Sequence, residues 1–134
     1  MKTKLITLIT LLFFTISAYS QEKQNVTFQP KKVSENAIYQ LFPTQNYWTF
    51  LKLDTRNGKI WQVHYTVSKE GFEGEIILNS ESLVWSSEVE TIGRFTLYPT
   101  NNIYNFILLD QIDGRTWQVQ WNNEQEKRFV SRIY

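Results

Sequence analysis

The sequence contains no cysteine, three prolines, five glycines and a single histidine among its 134 residues. Because it has no cysteine, no disulfide can staple the fold, and the usual zinc ligand sets cannot be assembled. No Asp-rich loop has the spacing of a calcium site, so neither a metal nor another cofactor is expected. Stability must then come from apolar burial, for which aromatic residues supply 16% of the chain.

No apolar run is long enough to span a bilayer comfortably. The longest, over residues 5–16, follows Lys2 and Lys4 and precedes the small side chains of Ala18 and Ser20. This order is typical of a cleaved secretory signal. We predict a signal peptide over residues 1–20, a periplasmic or extracellular location, and no membrane span after its removal.

Neither sign of charge is in large excess. Without Lys2 and Lys4 the basic count falls from 14 to 12, against 13 acidic residues. This balance argues against nucleic acid as a partner, since nucleic acids are bound largely through clustered lysine and arginine. A protein or glycan of the cell envelope is the expected partner, and the oligomeric state is left open.

An internal repeat is the most informative feature that is present. Residues 41–65 recur as residues 97–121, a shift of 56 without a gap, and eleven of the 25 positions are identical. Chance would give about one or two identities. A residue that both copies share is more suited to building a structural unit than to performing unique chemistry.

The repeats read as strands. Residues 61–65 alternate apolar and polar side chains, as do residues 117–121. A polar, flexible lead-in over residues 21–36 is followed by a single all-β domain, residues 37–134, made of repeats 37–80 and 93–134. Each repeat is predicted to form about four antiparallel strands, together giving a β-sandwich or a small closed barrel. A fourth strand is expected near residues 75–79 and 129–134, with a further strand at residues 83–85.

The repeat also resembles a propeller blade. Two blades cannot close a propeller, which needs about four or more. Self-association would be required to complete one.

The hairpin turn decides which side chains share a face. A three-residue loop, Arg56-Asn57-Gly58, would pair Leu53 with Trp61 and Leu51 with Val63, and so gather the apolar side chains together. The equivalent loop in the second copy, residues 112–114, would pair Leu109 with Trp117. We therefore predict that the Trp, Val and Leu side chains turn inward together.

In that register the second face of each hairpin carries aromatic rings beside amide side chains, which suits recognition of a sugar or a protein. The candidate binding residues are Trp48, Phe50, Gln62, His64, Tyr104, Phe106, Gln118 and Gln120. Alternatively, linkers or the N-terminal segment cover this face and the rings form a minor core.

Catalytic residues are not predicted. His64 has no Ser or Cys partner in a recognisable pattern, and Gln120 replaces it in the other copy. Asp54 and Asp110 could form a carboxylate pair for hydrolysis. Both precede the same turn, however, where a carboxylate commonly accepts backbone N–H groups of the loop.

The motif Leu-Asp-x-x-x-Gly-x-x-Trp-Gln-Val, within residues 50–63 and 106–119, resembles hairpins of small secreted bacterial proteins of unknown function. That resemblance implies duplicated β-hairpins and export, and brings no activity with it. The favoured interpretation is a non-catalytic exported binding module. A carbohydrate-binding module and a small hydrolase using Asp54 and Asp110 are the alternatives.

Overall fold

A computed structural model describes residue 34 and residues 36–134. The predicted signal peptide and most of the predicted lead-in lie outside these residues. The strands are β1 (Tyr39–Pro43), β2 (Thr49–Asp54), β3 (Ile60–His64), β4 (Gly74–Asn79), β5 (Phe95–Pro99), β6 (Asn105–Asp110), β7 (Thr116–Gln120) and β8 (Phe129–Ile133). A 3₁₀ turn, Gln125–Lys127, precedes β8. Within this part of the chain no helix is long and apolar enough to cross a membrane.

The strands form two antiparallel four-stranded sheets, each from one copy of the repeat. Sheet 1 has the order β1-β2-β3-β4 and sheet 2 the order β5-β6-β7-β8. The prediction of two all-β units of four strands is therefore confirmed. Neither sheet closes into a barrel over the described strands. The strand predicted at residues 83–85 is wrong, because this segment is a loop.

The predicted hairpin register is also wrong, by one residue. Leu53 lies opposite Ile60 and Leu51 opposite Gln62, whereas Lys52 faces Trp61. In sheet 2 the partner of Trp117 is Leu108. Because a slip of one residue inverts the faces of a strand, the Leu and Trp side chains of each motif do not turn inward together.

The turn itself explains the register. Asp54 accepts a backbone bond from Gly58 at 3.0 Å and donates one to Lys59 at 2.9 Å. Four residues rather than three, 55–58, therefore separate the hydrogen-bonded pair Asp54 and Lys59 that closes the turn. Gly58 has a φ of 76°, and Gly114 a φ of 77° at the same place in sheet 2. This left-handed conformation is readily adopted by glycine.

The two copies bury opposite faces. In sheet 1 the buried face carries Leu51, Leu53, Ile60 and Gln62, all fully inaccessible. In sheet 2 the corresponding residues are only half-buried, and the other face is inside. That face carries Phe95, Leu97, Phe106, Leu108, Trp117 and Val119. We call these the inner faces, and together they form one hydrophobic core.

Polar contacts join the two sheets beside this core. The backbone N–H of Phe95 donates to the carbonyl of Thr55 at 2.8 Å. The backbone N–H of Asn122 donates to Oε1 of Gln62 at 3.2 Å. The linker between the sheets is held as well, since the N–H of Leu83 donates to the carbonyl of Asn57 at 2.8 Å. The core interface is thus bounded by hydrogen bonds that fix one sheet against the other.

Gly58 and Gly114 offer a matched test of this packing. Alanine at either position strains the backbone by about 1 kcal/mol. A Cβ at Gly58 would also lie 2.9 Å from Leu83 Cδ1 and 3.3 Å from Phe95 Cδ1, whereas at Gly114 it would meet no atom within 4 Å. We expect Gly58→Ala to lower the free energy of unfolding by about 1–3 kcal/mol more than Gly114→Ala. Urea denaturation of both variants measures this, and equal losses would contradict the interface described above.

Candidate functional site

The outer face of sheet 1 is rich in apolar and aromatic side chains. Strand alternation and pairing place the following residues on it: Tyr39, Leu41, Phe50, Lys52, Trp61, Val63 and Ile77. Trp48 and Tyr65 extend it at one end, with ring centroids 5.3 Å apart. A surface of this composition is unusual for solvent exposure and is typical of a recognition surface.

Charge on this face is largely neutralised. Lys52 forms an ion pair with Glu75. Its ammonium lies 4.7 Å from the ring centroid of Trp61 and 5.9 Å from that of Tyr39. These contacts hold the lysine stem along the aromatic surface, where it adds apolar area.

The repeat provides an internal reference for how this face behaves when it is covered. Tyr39 is 53% exposed and its counterpart Phe95 is 1% exposed; Leu41 is 59% exposed and Leu97 is 3% exposed. Tyr65 is 43% exposed, whereas Trp121 is 1% exposed. These positions are therefore exposed in sheet 1, whereas the equivalent positions of sheet 2 are covered by sheet 1.

The outer face of sheet 2 is the complementary open surface. Its central residues are Ile107, Leu109, Thr116 and Gln118, with Tyr98 exposed on the neighbouring strand. Their counterparts in sheet 1 are Leu51, Leu53, Ile60, Gln62 and Phe42 of the inner face. Nε2 of Gln118 donates to Oδ1 of Asn105 at 2.6 Å.

The structure separates the candidate binding residues that the sequence placed together. Trp48 and Phe50 belong to the outer face of sheet 1, whereas Gln62 and His64 lie on its inner face. In sheet 2 the arrangement is reversed: Phe106 is buried in the core, and Gln118 and Gln120 lie on the outer face. The prediction that these aromatic and amide side chains share one surface is therefore wrong, because the register differs by one residue from the predicted one.

Sequence reasoning missed the central residues of the open surface, Trp61, Val63, Tyr39 and Leu41. A signal was available in β6, whose residues 106–109 read Phe-Ile-Leu-Leu without alternation. An uninterrupted apolar run indicates a strand that is covered on both faces.

Gln62 and His64 form a polar link inside the first sheet. Nε2 of Gln62 donates to Nε2 of His64 at 2.5 Å, and Nδ1 of His64 is 3.3 Å from Oγ1 of Thr49. Since His64 Nε2 accepts, the imidazole is neutral and Nδ1 carries its proton. Burial lowers the pKa of His64, and the positive charge of Arg128 lowers it further. The same Gln62 amide reaches sheet 2 through its bond from Asn122.

Two clefts are lined by residues of this link or by its partner Asn122. One, of about 470 Å³, lies between the sheets. It is lined by Gln45, Asn46, Ile103, Tyr104, Trp121, Asn122, Asn123 and Glu124. The other, of about 370 Å³, brings Trp48 and His64 together beside the ring of Phe72. It is lined by Asn46, Trp48, Thr49, His64, Tyr65, Thr66, Val67, Ser68, Phe72 and Asn123.

Asp54 and Asp110 anchor the turns, as the structural interpretation of the sequence predicted. Oδ1 of Asp54 accepts the N–H of Arg56 at 3.0 Å, and Oδ1 of Asp110 accepts the N–H of Ile112 at 3.0 Å. Burial alone would raise the pKa of each carboxyl, but hydrogen bonds from Arg56 and Arg94 outweigh it and hold both pKa values below their usual range. A carboxylate held ionised in this way is poorly suited to act as a general acid.

A buried ionic cluster surrounds the second of these turns. Nε of Arg94 donates to Oδ2 of Asp110 at 2.9 Å, and its guanidinium reaches Glu88 at 2.6 Å. Arg115 contacts the same carboxylate at 3.2 Å and lies over the ring of Trp85. The described residues contain no group of three or more metal-ligating side chains. Through Glu88 and Trp85 the cluster joins the linker to sheet 2.

Substitution of the two turn carboxylates should have unequal effects. Asp110→Asn leaves Arg94, itself 2% exposed, without its main counter-charge and should cost about 3 kcal/mol or more of folding free energy. Asp54→Asn should cost less, because Arg56 is 34% exposed and can be hydrated. Chemical denaturation at neutral pH checks the order. A larger loss for Asp54→Asn would disprove this account of the cluster.

Acidification should weaken the link between the sheets. Folding lowers the pKa of His64, so the unfolded state binds its proton first, and stability should fall as the pH drops from about 6.5 towards the folded pKa. A protonated Nε2 cannot accept from Gln62 unless the amide turns over, which would break its bond from Asn122. Thermal unfolding between pH 7 and 5 tests this. His64→Gln, which reproduces Gln120 of the other copy, should remove the dependence in this window; an unchanged slope would exclude His64 as its origin.

Comparisons with known proteins do not assign a function to this chain. No family model matches the chain, and no curated protein or solved structure is significantly similar to it. The open face of sheet 1 and the two clefts are therefore the features on which a functional assignment depends.

Proposed function

We propose that this chain is a non-catalytic binding module that engages a protein partner through the outer face of sheet 1. The main support for this proposal is the contrast in exposure between the two copies, since Leu41 is 59% exposed and the equivalent Leu97 is 3% exposed. The same kind of surface thus forms a closely packed protein interface in sheet 2. Aromatic rings with few rotatable bonds suit such contacts because little side-chain entropy is lost on binding.

We also propose that the sheets are arranged as successive propeller blades rather than as a symmetric sandwich. In a sandwich of two equivalent sheets related by a two-fold axis, equivalent faces would meet in the core. Here the inner face of sheet 1 carries Leu51 and Gln62. The inner face of sheet 2 carries Leu108 and Trp117, whose counterparts in sheet 1 lie on the outer face. Each sheet therefore packs on the next in the same sense, as in a propeller.

A protein of the cell envelope, met in the periplasm or outside the cell, is the proposed partner. Export rests on the predicted signal peptide at residues 1–20. The low excess of charge makes apolar contact, rather than electrostatic attraction, the main contribution to binding. Lys52 lies within this face between Leu41 and Trp61, and it would remain paired with Glu75 on binding.

Carbohydrate binding is the second candidate, and the smaller cleft favours it. Trp48, Tyr65 and Phe72 are all exposed there beside Asn46 and Asn123. Rings can cover the apolar faces of a sugar, and amides can both donate to and accept from its hydroxyls. Hydrolysis by Asp54 and Asp110 has no comparable support, since both carboxylates are engaged by turn N–H groups and arginines.

A photoreactive amino acid introduced at position 41 provides the test. After irradiation in an envelope extract, we expect a covalent adduct with a protein, because Leu41 lies within the proposed surface. The control is position 89, where Val89 is 81% exposed and lies in the linker. Leu41→Asp should weaken capture of the same protein, measured with the photoreactive group at the neighbouring position 39, by at least about tenfold.

The possible adducts separate the candidates. A protein adduct at position 41 with none at position 89 supports the proposal, whether that protein is another molecule or a second copy of this chain. An adduct with a glycan alone would favour carbohydrate binding, and equal labelling at both positions would overturn the assignment of this surface.

A further inference from the structure

We infer that the partner of the outer face of sheet 1 is the outer face of sheet 2 on a second copy of this chain. This inference rests on the proposed function, and it names the partner. The intramolecular core already joins one face of the repeat to the opposite face of its duplicate. Each chain therefore leaves two faces open, the outer face of sheet 1 and the outer face of sheet 2. These are equivalent to the two inner faces that pack together inside the chain.

The correspondence is specific at the level of residues. In the core, Leu51 and Leu53 of one sheet pack in the same hydrophobic cluster as Phe106 and Val119 of the other. Shifted by 56 positions, the same contact would bring Ile107 and Leu109 of one copy against Phe50 and Val63 of its neighbour. All four of these residues are half-buried in the single chain, so their further burial on association is possible.

The polar contacts can be transferred in the same way. Gln62 accepts a backbone bond from Asn122 across the core, and its counterpart Gln118 would accept from Thr66 of the neighbouring copy. The carbonyl of Thr55 accepts from Phe95, so that of Gln111 would accept from the neighbour's Tyr39. Sheet 2 thus carries the counterparts of both acceptors that sheet 1 uses in the internal interface.

The clefts provide an independent observation. In the cleft between the sheets, the wall formed by Tyr104, Trp121, Asn122, Asn123 and Glu124 faces Gln45 and Asn46. The smaller cleft is lined by the equivalents of these five residues, 48 and 65–68, although Tyr47, the equivalent of Ile103, does not line it. The opposing Gln45 and Asn46 correspond to Asn101 and Asn102, which a neighbouring copy would supply. Assembly would therefore complete a second inter-sheet cleft for each chain.

The interface is heterologous, so the copies must close into a ring or continue as a filament. Propellers contain about four to eight blades, which corresponds to about two to four copies of a two-sheet chain. A ring of this size would cover both open faces of every copy and leave no aromatic surface exposed at either end.

Two charge-bearing variants test the head-to-tail arrangement. Leu41→Asp alters the outer face of sheet 1 and Tyr98→Asp that of sheet 2; the two native side chains are 59% and 51% exposed, so the fold should tolerate both changes. We expect the purified native chain to have about two to four times the monomer mass by light scattering, and each variant alone to be monomeric. Val89→Asp, outside both faces, should assemble as the native chain does.

Mixing the two variants distinguishes the possible interfaces. Each retains the face that the other has lost, so an equimolar mixture should form a heterodimer through one intact interface, which also shows that both variants are folded. A monomeric native chain would overturn the inference, as would assembly that Leu41→Asp abolishes but Tyr98→Asp leaves unchanged. If position 41 captures another protein while the native chain stays monomeric, the proposed function survives and the self-assembly does not.

Discussion

The carboxylate at the end of the second strand of each repeat determines the rest of this structure. Asp54 holds its turn through both its side chain and its backbone, and Asp110 does the same in the second copy. The four-residue turn places Leu51 opposite Gln62, and so decides which side chains enter the core. With a turn one residue shorter, the tryptophans would exchange places with the glutamines.

This register buries the side chain of Gln62, and the register is tolerated because the Gln62 amide is hydrogen-bonded. An amide in an apolar core is costly unless its donors and acceptors are bonded. Gln62 donates to His64 and accepts from Asn122, which lies 60 residues further along the chain. Among the described residues, no buried side-chain nitrogen or oxygen lacks a hydrogen-bond partner. The polar link thus adds directional bonds to an interface that apolar burial alone would leave free to slide.

Local features of the sequence were sufficient for the strands of both sheets, the positions of the hairpin turns and the role of Asp54 and Asp110, because alternation, glycine and turn carboxylates act over a few residues. They did not determine the length of the hairpin turn, which has four residues rather than three. The register depended on contacts that are distant in sequence. The predicted register assumed that each sheet has one face in the core and one face in solvent. Both faces of β6 are instead at least half-buried. The bond from Asn122 to Gln62 has no local signature, so the candidate site inherited the error in register.

The open faces are the reason why we propose that this duplicated chain assembles with further copies of itself. In repeat proteins the terminal units usually carry polar outer faces, because otherwise the stacking surface meets water. Here the first sheet ends in Tyr39, Leu41, Trp61 and Val63, and the single lysine of that face is already paired. The second sheet ends in a surface that retains the buried glutamine's counterpart, Gln118, with its amide still directed by Asn105. Each end of the fold thus leaves open one half of the interface that the two sheets form inside the chain, and this geometry is the basis for the proposed recognition between copies.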